Sequence, residues 1–206
     1  MKLENKNFFG TKELVDYCLK YVTGEVADVG AGTAKYKPMI LSRASSYLAF
    51  DVVPGEKIDV VGDVLNMPLS SESFDTVIST QVLEHVEKPW VMVSEIRRIL
   101  KPGGVCVLTA PFLISYHPDP TDFFRYTTEG IVSLFKNEGF EIIEAGSYGR
   151  LFSTFKEIVR LGYFRQKRFK GQELFLKYAQ KFTHWLDGFV KNKSIYTNIY
   201  VIARKK

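Results

Sequence analysis

Cysteine is scarce in this chain. Two residues, Cys18 and Cys106, in 206 cannot build a disulfide framework, and their spacing is no zinc signature. That points to a reducing, cytoplasmic setting. Long apolar runs are missing too. The longest nearly apolar stretch, Val105 to Ile114, is too short to span a bilayer and is broken by Thr109 and Pro111. The opening Met-Lys-Leu-Glu-Asn-Lys-Asn has no apolar segment, so no signal peptide is expected. Internal repeats and low-complexity tracts are absent. With 46% hydrophobic and 25% charged residues, the composition is that of a globular domain able to bury a core, and general disorder is excluded.

Charge is unevenly placed. Residues 150–193 hold eleven Lys/Arg and three Asp/Glu, a net +8, which leaves −3 on the rest of a chain totalling +5. The basic character therefore belongs to one late segment. Nucleic-acid binding by the whole protein is only weakly supported, because a basic stripe is the first of several signs required.

From residue 10 to 148, short apolar runs alternate with amphipathic stretches. Thr11 is placed to cap a helix with Leu14, Val15, Cys18, Leu19 and Val22 on one face. Strands are expected at Glu25–Val29, Tyr47–Val53, Ile58–Val61, Phe74–Ser79, Val105–Ala110, Phe140–Ala145 and Ile195–Ala203. Helices are expected up to Arg43, over Trp90–Leu100 and over Thr127–Asn137. Strands alternating with helices imply crossover units and a parallel sheet covered on both faces.

The first strand runs into Gly30-Ala31-Gly32. Glycine there lets the chain turn sharply and lets a ligand approach the backbone, at the sheet end where nucleotides bind. Asp51 follows 19 residues after Gly32 and can accept hydrogen bonds from both ribose hydroxyls of a nucleoside. Asp63-Val64 follows the third strand, where a carboxylate and an N–H can read an adenine edge. Next come Phe74-Asp75-Thr76-Val77-Ile78-Ser79, then Val82-Leu83-Glu84-His85-Val86, then Leu100-Lys101-Pro102-Gly103-Gly104. A nicotinamide fingerprint would need glycine at position 35, which is Lys35.

These motifs together resemble the class I S-adenosylmethionine-dependent methyltransferases, in particular the group with a Leu-Glu-His segment and a Leu-Lys-Pro-Gly-Gly turn. The resemblance covers roughly residues 25–148 and the last strand. It implies an α/β, Rossmann-like fold with a seven-stranded sheet in the order 3-2-1-4-5-7-6, the seventh strand antiparallel and helices on both faces. It also implies S-adenosyl-L-methionine as cofactor. Asp28, Gly30, Ala31 and Gly32 would line its methionine part, Asp51 the ribose and Asp63 the adenine amine, with Val52 and Val64 flanking the ring and Gln81 nearby. Where the family often has a third glycine, this chain has Ala34.

Methyl transfer needs a nucleophile aligned behind an activated methyl carbon, exclusion of water and, for some acceptors, a base. No metal is required by that reading. The polar, aromatic loop Tyr116 to Thr127 should overhang the donor. His117 is the candidate base or acceptor contact, with Tyr126 beside it. His85, Tyr116, Asp122 and Arg125 are candidates for shaping the acceptor pocket. Asp122 and Arg125 equally suit a pair that merely holds the loop.

Residues 1–206 read as one methyltransferase domain in which 150–193 form a basic, amphipathic helical insertion. Its apolar faces are Leu151, Phe155, Ile158, Val159 and Gly162, then Phe175, Tyr178, Ala179, Phe182, Trp185, Leu186 and Phe189. A core-facing cap, a peripheral contact with anionic membrane and a homodimer contact all suit that pattern. The expected function is methyl transfer to a small-molecule or lipid-like acceptor. A silent S-adenosylmethionine-binding partner or scaffold is the alternative, and a nicotinamide-dependent oxidoreductase a distant third.

Overall fold

The structure is a computed structural model that describes residues 2–6, 8–152, 154–155, 171–187, 189 and 195–206. Eight strands form one sheet: β1 Lys2–Leu3, β2 Glu25–Val29, β3 Ser46–Asp51, β4 Val60–Val61, β5 Phe74–Thr80, β6 Leu100–Pro111, β7 Phe140–Tyr148 and β8 Asn198–Lys205. Their order is β1-β7-β8-β6-β5-β2-β3-β4. Pairings are parallel except those of β8, which runs antiparallel to β6 and β7. The seven expected strands thus occur in the expected order, with β8 as the reversed one. An eighth was not foreseen: β1 adds two residues to the β7 edge, too few to leave a period-2 signal.

Helices among the described residues include α1 Thr11–Cys18, α2 Lys37–Ile40, α3 Pro89–Ile99, α4 Thr128–Asn137 and α5 Gln172–Asp187. Alternation along the strands divides the core between the two sheet faces. Cys106, Leu108 and Ala110 of β6, with Ile199, Val201 and Ala203 of β8, pack with Met92, Val93, Ile96 and Ile99 of α3 and with Ile131 and Phe135 of α4. Val105, Val107, Tyr200 and Ile202 face the other way, onto Leu14, Val15 and Cys18 of α1. Each fully buried aliphatic side chain contributes about 1.5–3 kcal/mol relative to exposure.

Several local expectations change; β6 starts at Leu100 rather than Val105, β8 at Asn198 rather than Ile195, and α2 ends at Ile40 rather than Arg43. Thr11 does not cap α1; Gly10 is the N-cap. Glu13 instead accepts the Phe9 N–H at 2.8 Å, and Thr11 Oγ1 lies 3.0 Å from the Tyr148 hydroxyl. The third strand is shorter than Ile58–Val61, because the Ile58 N–H closes a turn onto the Gly55 carbonyl. Thr127 does cap α4, accepting the Gly130 N–H at 3.0 Å.

In the 150–193 segment, Ile158, Val159, Gly162, Arg165, Lys167, Arg168 and Lys170 lie outside the described residues. On α5 the aromatic face points to solvent: Phe175, Tyr178, Phe182 and Trp185 are each more than half exposed, as is Phe189 beyond it. A core-facing cap required the reverse. Periodicity shows that an apolar face exists but not which surface meets it.

Candidate functional site

The carboxyl ends of β2 and β3 build a crevice. After Val29 the chain turns at Gly30, φ +77°, and Gly32, φ +56°, and the N–H groups of Gly30 and Ala31 both donate to the Phe50 carbonyl. A Cβ on Gly30 would lie 2.1 Å from Val82 Cγ2, whereas one on Gly32 would meet open space. Glycine at 30 is thus demanded by both conformation and packing, and at 32 by conformation with room left above it. Ala34 also takes a left-handed conformation, φ 52°, so alanine keeps the shape that glycine would adopt there.

Asp51, at the end of β3, ties this loop down. Its Oδ2 accepts the Gly32 N–H at 2.8 Å and its Oδ1 the Val53 N–H at 2.9 Å. Val52 beside it is exposed, an apolar surface suited to the face of a base. Asp63 is exposed and its Oδ1 accepts the Leu65 N–H, while Val64 packs partly into the core. Asp28 sits beneath the loop. It is 2% exposed, and the Tyr47 hydroxyl donates to its Oδ2 at 2.7 Å. Burial pushes its carboxyl up to about 6, against the lowering effect of that hydrogen bond. Gln81 follows β5 with φ 59°; its N–H donates to the Thr109 carbonyl and its Nε2 to Thr109 Oγ1 at 3.0 Å.

The ends of β5 and β6 carry the second half of the site. A single helical turn, Leu83–His85, presents Glu84 and His85, and the loop after β6 brings His117 to them. The two imidazoles meet edge to face at 5.2 Å between centroids. His85 Nε2 lies 3.7 Å and His117 Nε2 3.9 Å from Glu84 Oε1. Glu84 is fully buried. The facing Glu84 carboxylate raises the His117 pKa above its ordinary value, and burial works the other way.

Asp122 and Arg125 form a bidentate pair. Asp122 also accepts the His117 N–H at 2.9 Å. Arg125 reaches the carbonyls of Ile114, Ser115 and Phe124. Arg125 holds the Asp122 carboxyl down at about 2. The pair therefore clamps the loop that carries His117. Tyr126 is buried and its hydroxyl donates to the Leu83 carbonyl at 3.4 Å, fixing the turn beneath Glu84. Tyr116 is exposed at the loop tip.

Sequence reasoning gave no site role to Thr109, and it picked out Glu84 only as part of the Leu-Glu-His segment. The readable signal for Glu84 was an acid set inside the apolar run Val82-Leu83-Glu84-His85-Val86, where burial is expected and a carboxylate needs a reason.

A parallel sheet with its last strand reversed, a glycine loop after the first central strand and a carboxylate ending the next define the class I methyltransferase fold. Residues 27–108 match the family described as methyltransferase domain. The chain is 33% identical over 89 residues to an uncharacterized methyltransferase of Mycobacterium bovis, covering 43% of this chain and 34% of that protein. To one of Mycobacterium avium it is 28% identical over 130 residues, covering 52% and 51%. It thus spans about a third to a half of the curated relatives it matches. Among solved structures, an S-adenosylmethionine-dependent methyltransferase from Archaeoglobus fulgidus superposes with TM-score 0.62 at 18% identity, over 95% of each chain. Phosphoethanolamine N-methyltransferase 2 of Haemonchus contortus, in complex with S-adenosyl-L-methionine, gives 0.61 at 17% over 94% of this chain and 52% of that one. The [4+2]-cyclase SpnF gives 0.62 at 19% over 99% and 85%. The resemblance read from the sequence therefore stands, in family over residues 27–108 and in fold over nearly the whole chain.

Proposed function

We propose that this protein binds S-adenosyl-L-methionine in the crevice over β2 and β3 and transfers its methyl group to a small-molecule acceptor held over β5 and β6. The observation that carries the reading is the Asp51 carboxylate joined to the glycine loop, beside the exposed Val52 and the open space above Gly32. These features fit an adenosyl ligand: a carboxylate for ribose hydroxyls, an apolar face for the base and a backbone cradle. When bound, the cofactor supplies an activated methyl.

The chain's own residues then position and shield. Asp51 and Asp63 hold the nucleoside, and buried Asp28 with Tyr47 supports the loop from below. Gln81 closes the crevice between β5 and β6. His117 contacts the acceptor, His85 and Tyr116 border it, and Asp122 and Arg125 fix the loop's shape. Tyr126 positions the Glu84 turn. Calorimetry with S-adenosylhomocysteine tests the binding step. One site per chain is expected, and Asp51→Ala should weaken it at least about tenfold, the scale of a lost charge-assisted hydrogen bond. Absence of heat with the unsubstituted protein overturns the proposal.

The second reading is a silent cofactor-binding protein or one with another chemistry, and the likeness to a fold neighbour named as a cyclase favours keeping it. Intact binding with no methyl transfer across hydroxyl, amine and carbon acceptors would select it. The outward aromatic face of α5, in a basic segment, further supports contact with an anionic lipid surface over a core-facing cap.

A further inference from the structure

The tautomers of His85 and His117 follow from their partners. A backbone carbonyl can only accept, so Nδ1 of His85 carries its proton toward the Thr121 carbonyl; Nδ1 of His117 lies nearer the Ser115 carbonyl, at 2.8 Å, than the donor Nη2 of Arg125, at 3.3 Å, and has the Asp122 carboxylate 3.5 Å away, so it too carries its proton. Each ring therefore turns an unprotonated Nε2 inward. Both Nε2 atoms face the same oxygen of Glu84, at 3.7 and 3.9 Å. Glu84 is 0% exposed, and among the described residues neither of its carboxylate oxygens has a hydrogen-bond partner. Three lone-pair donors thus converge with nothing between them to accept, an arrangement that is costly unless positive charge occupies the centre.

One proton would satisfy a single histidine–carboxylate contact and leave the other imidazole facing an oxygen. A divalent cation satisfies all three groups at once. The ligand atoms of Glu84, His85 and His117 lie within 4.8 Å of one another; closing each by less than about 1 Å brings them to ordinary metal–ligand distances of about 2.0–2.2 Å. Histidines bound to metals characteristically donate their other ring N–H to a carbonyl, as both do here.

We propose that Glu84, His85 and His117 form a binding site for a divalent first-row transition cation such as Zn2+, Fe2+ or Co2+. Two imidazole nitrogens with one carboxylate oxygen favour such ions over Mg2+ or Ca2+. Both imidazoles stay partly exposed, with side chains 17% and 21% accessible, so coordination positions remain open on the acceptor side. An oxygen of the acceptor bound there would lose its proton more readily. That last step, in which the ion takes over activation from His117, rests on the proposed methyl transfer; ion binding does not.

The test is titration of the metal-free full chain with Co2+ alone, read by visible absorption, with Zn2+ as competitor. One equivalent should bind with new ligand-field bands, and Zn2+ should displace it. His85→Ala and His117→Ala should each weaken Co2+ binding at least about 100-fold, more than the loss of an outer-sphere partner. Their affinity for S-adenosylhomocysteine, which also reports folding, should change less than about twofold. No binding by the unsubstituted chain, or binding by both variants as tight as that of the unsubstituted chain, overturns the site. If the metal binds and the cofactor product does not, the methyltransferase reading fails and the site stands; the opposite pattern removes the site alone.

Discussion

Gln81 holds a left-handed backbone conformation that costs a non-glycine residue about 1–2 kcal/mol. Its N–H and its amide both reach Thr109, so the strain is kept where the two halves of the site meet. Gln81→Gly should raise stability by up to about 1 kcal/mol in urea unfolding while methyl transfer falls. A rise in both would show that the side chain has no part in the site. Gly30 is the opposite case. Gly30→Ala drives a Cβ into Val82 at a positive φ, and should lower the melting temperature and abolish binding of S-adenosylhomocysteine together. Much of the crevice over β2 and β3 was legible at this scale, because glycines and a carboxylate at fixed spacing are local signals. The Glu84 cluster was not. It depends on a loop more than 30 residues later folding back so that the Thr121 carbonyl meets His85.

Among the elements, the edge of the sheet is bolted by one carboxylate. Glu144 on β7 is 3% exposed. It accepts hydrogen bonds from Tyr17 of α1, from Tyr21 in the turn after α1 and from Tyr200 of β8 at 2.9, 3.1 and 2.7 Å, and it pairs with Lys6 at 2.9 Å. Burial alone would push its carboxyl up; Tyr200, Lys6 and Tyr17 outweigh it and hold it at about 2. A carboxylate depressed in the folded state adds stability above its unfolded pKa, about 4.3, and loses it as the pH falls toward 2. The native protein should therefore lose up to about 3 kcal/mol between pH 5 and 2 through this group. Glu144→Gln should flatten that part of the pH–stability curve while lowering stability at pH 7 by a comparable amount. An unchanged curve would mean that the network does not hold the edge. The strands themselves were readable from alternation. β1 was not, since it pairs through backbone groups over only two residues.

Over the whole molecule, charge and exposed apolar surface fall in the same place. The 150–193 segment carries +8 against −3 elsewhere, and within it α5 turns Phe175, Tyr178, Phe182 and Trp185 outward. Described basic residues Lys177 and Lys181 lie on the same exposed helix. Aromatic rings suit the headgroup boundary, and each nearby cation adds about 1 kcal/mol on an anionic leaflet. The protein should therefore sediment with vesicles rich in an anionic phospholipid at low salt, far less with neutral vesicles, and should be released as salt screens the charges. The double substitution Phe182→Ser and Trp185→Ser should reduce vesicle binding sharply. It should leave the melting temperature nearly unchanged, because exposed rings contribute little to the core. A melting temperature that drops by several degrees would mean that these rings pack against the domain after all. Concentration-dependent dimerisation lost in the same variant, with no vesicle binding by either protein, would make the face a contact between two copies of the chain. The vesicle result also bears on the acceptor: the segment leaves β7 at Tyr148 and returns to β8 at Asn198, which pairs with Tyr148 and with Pro111 at the carboxyl end of β6, the sheet end that carries the crevice, so turnover on an amphiphilic acceptor should rise with vesicles present and fall in the double variant.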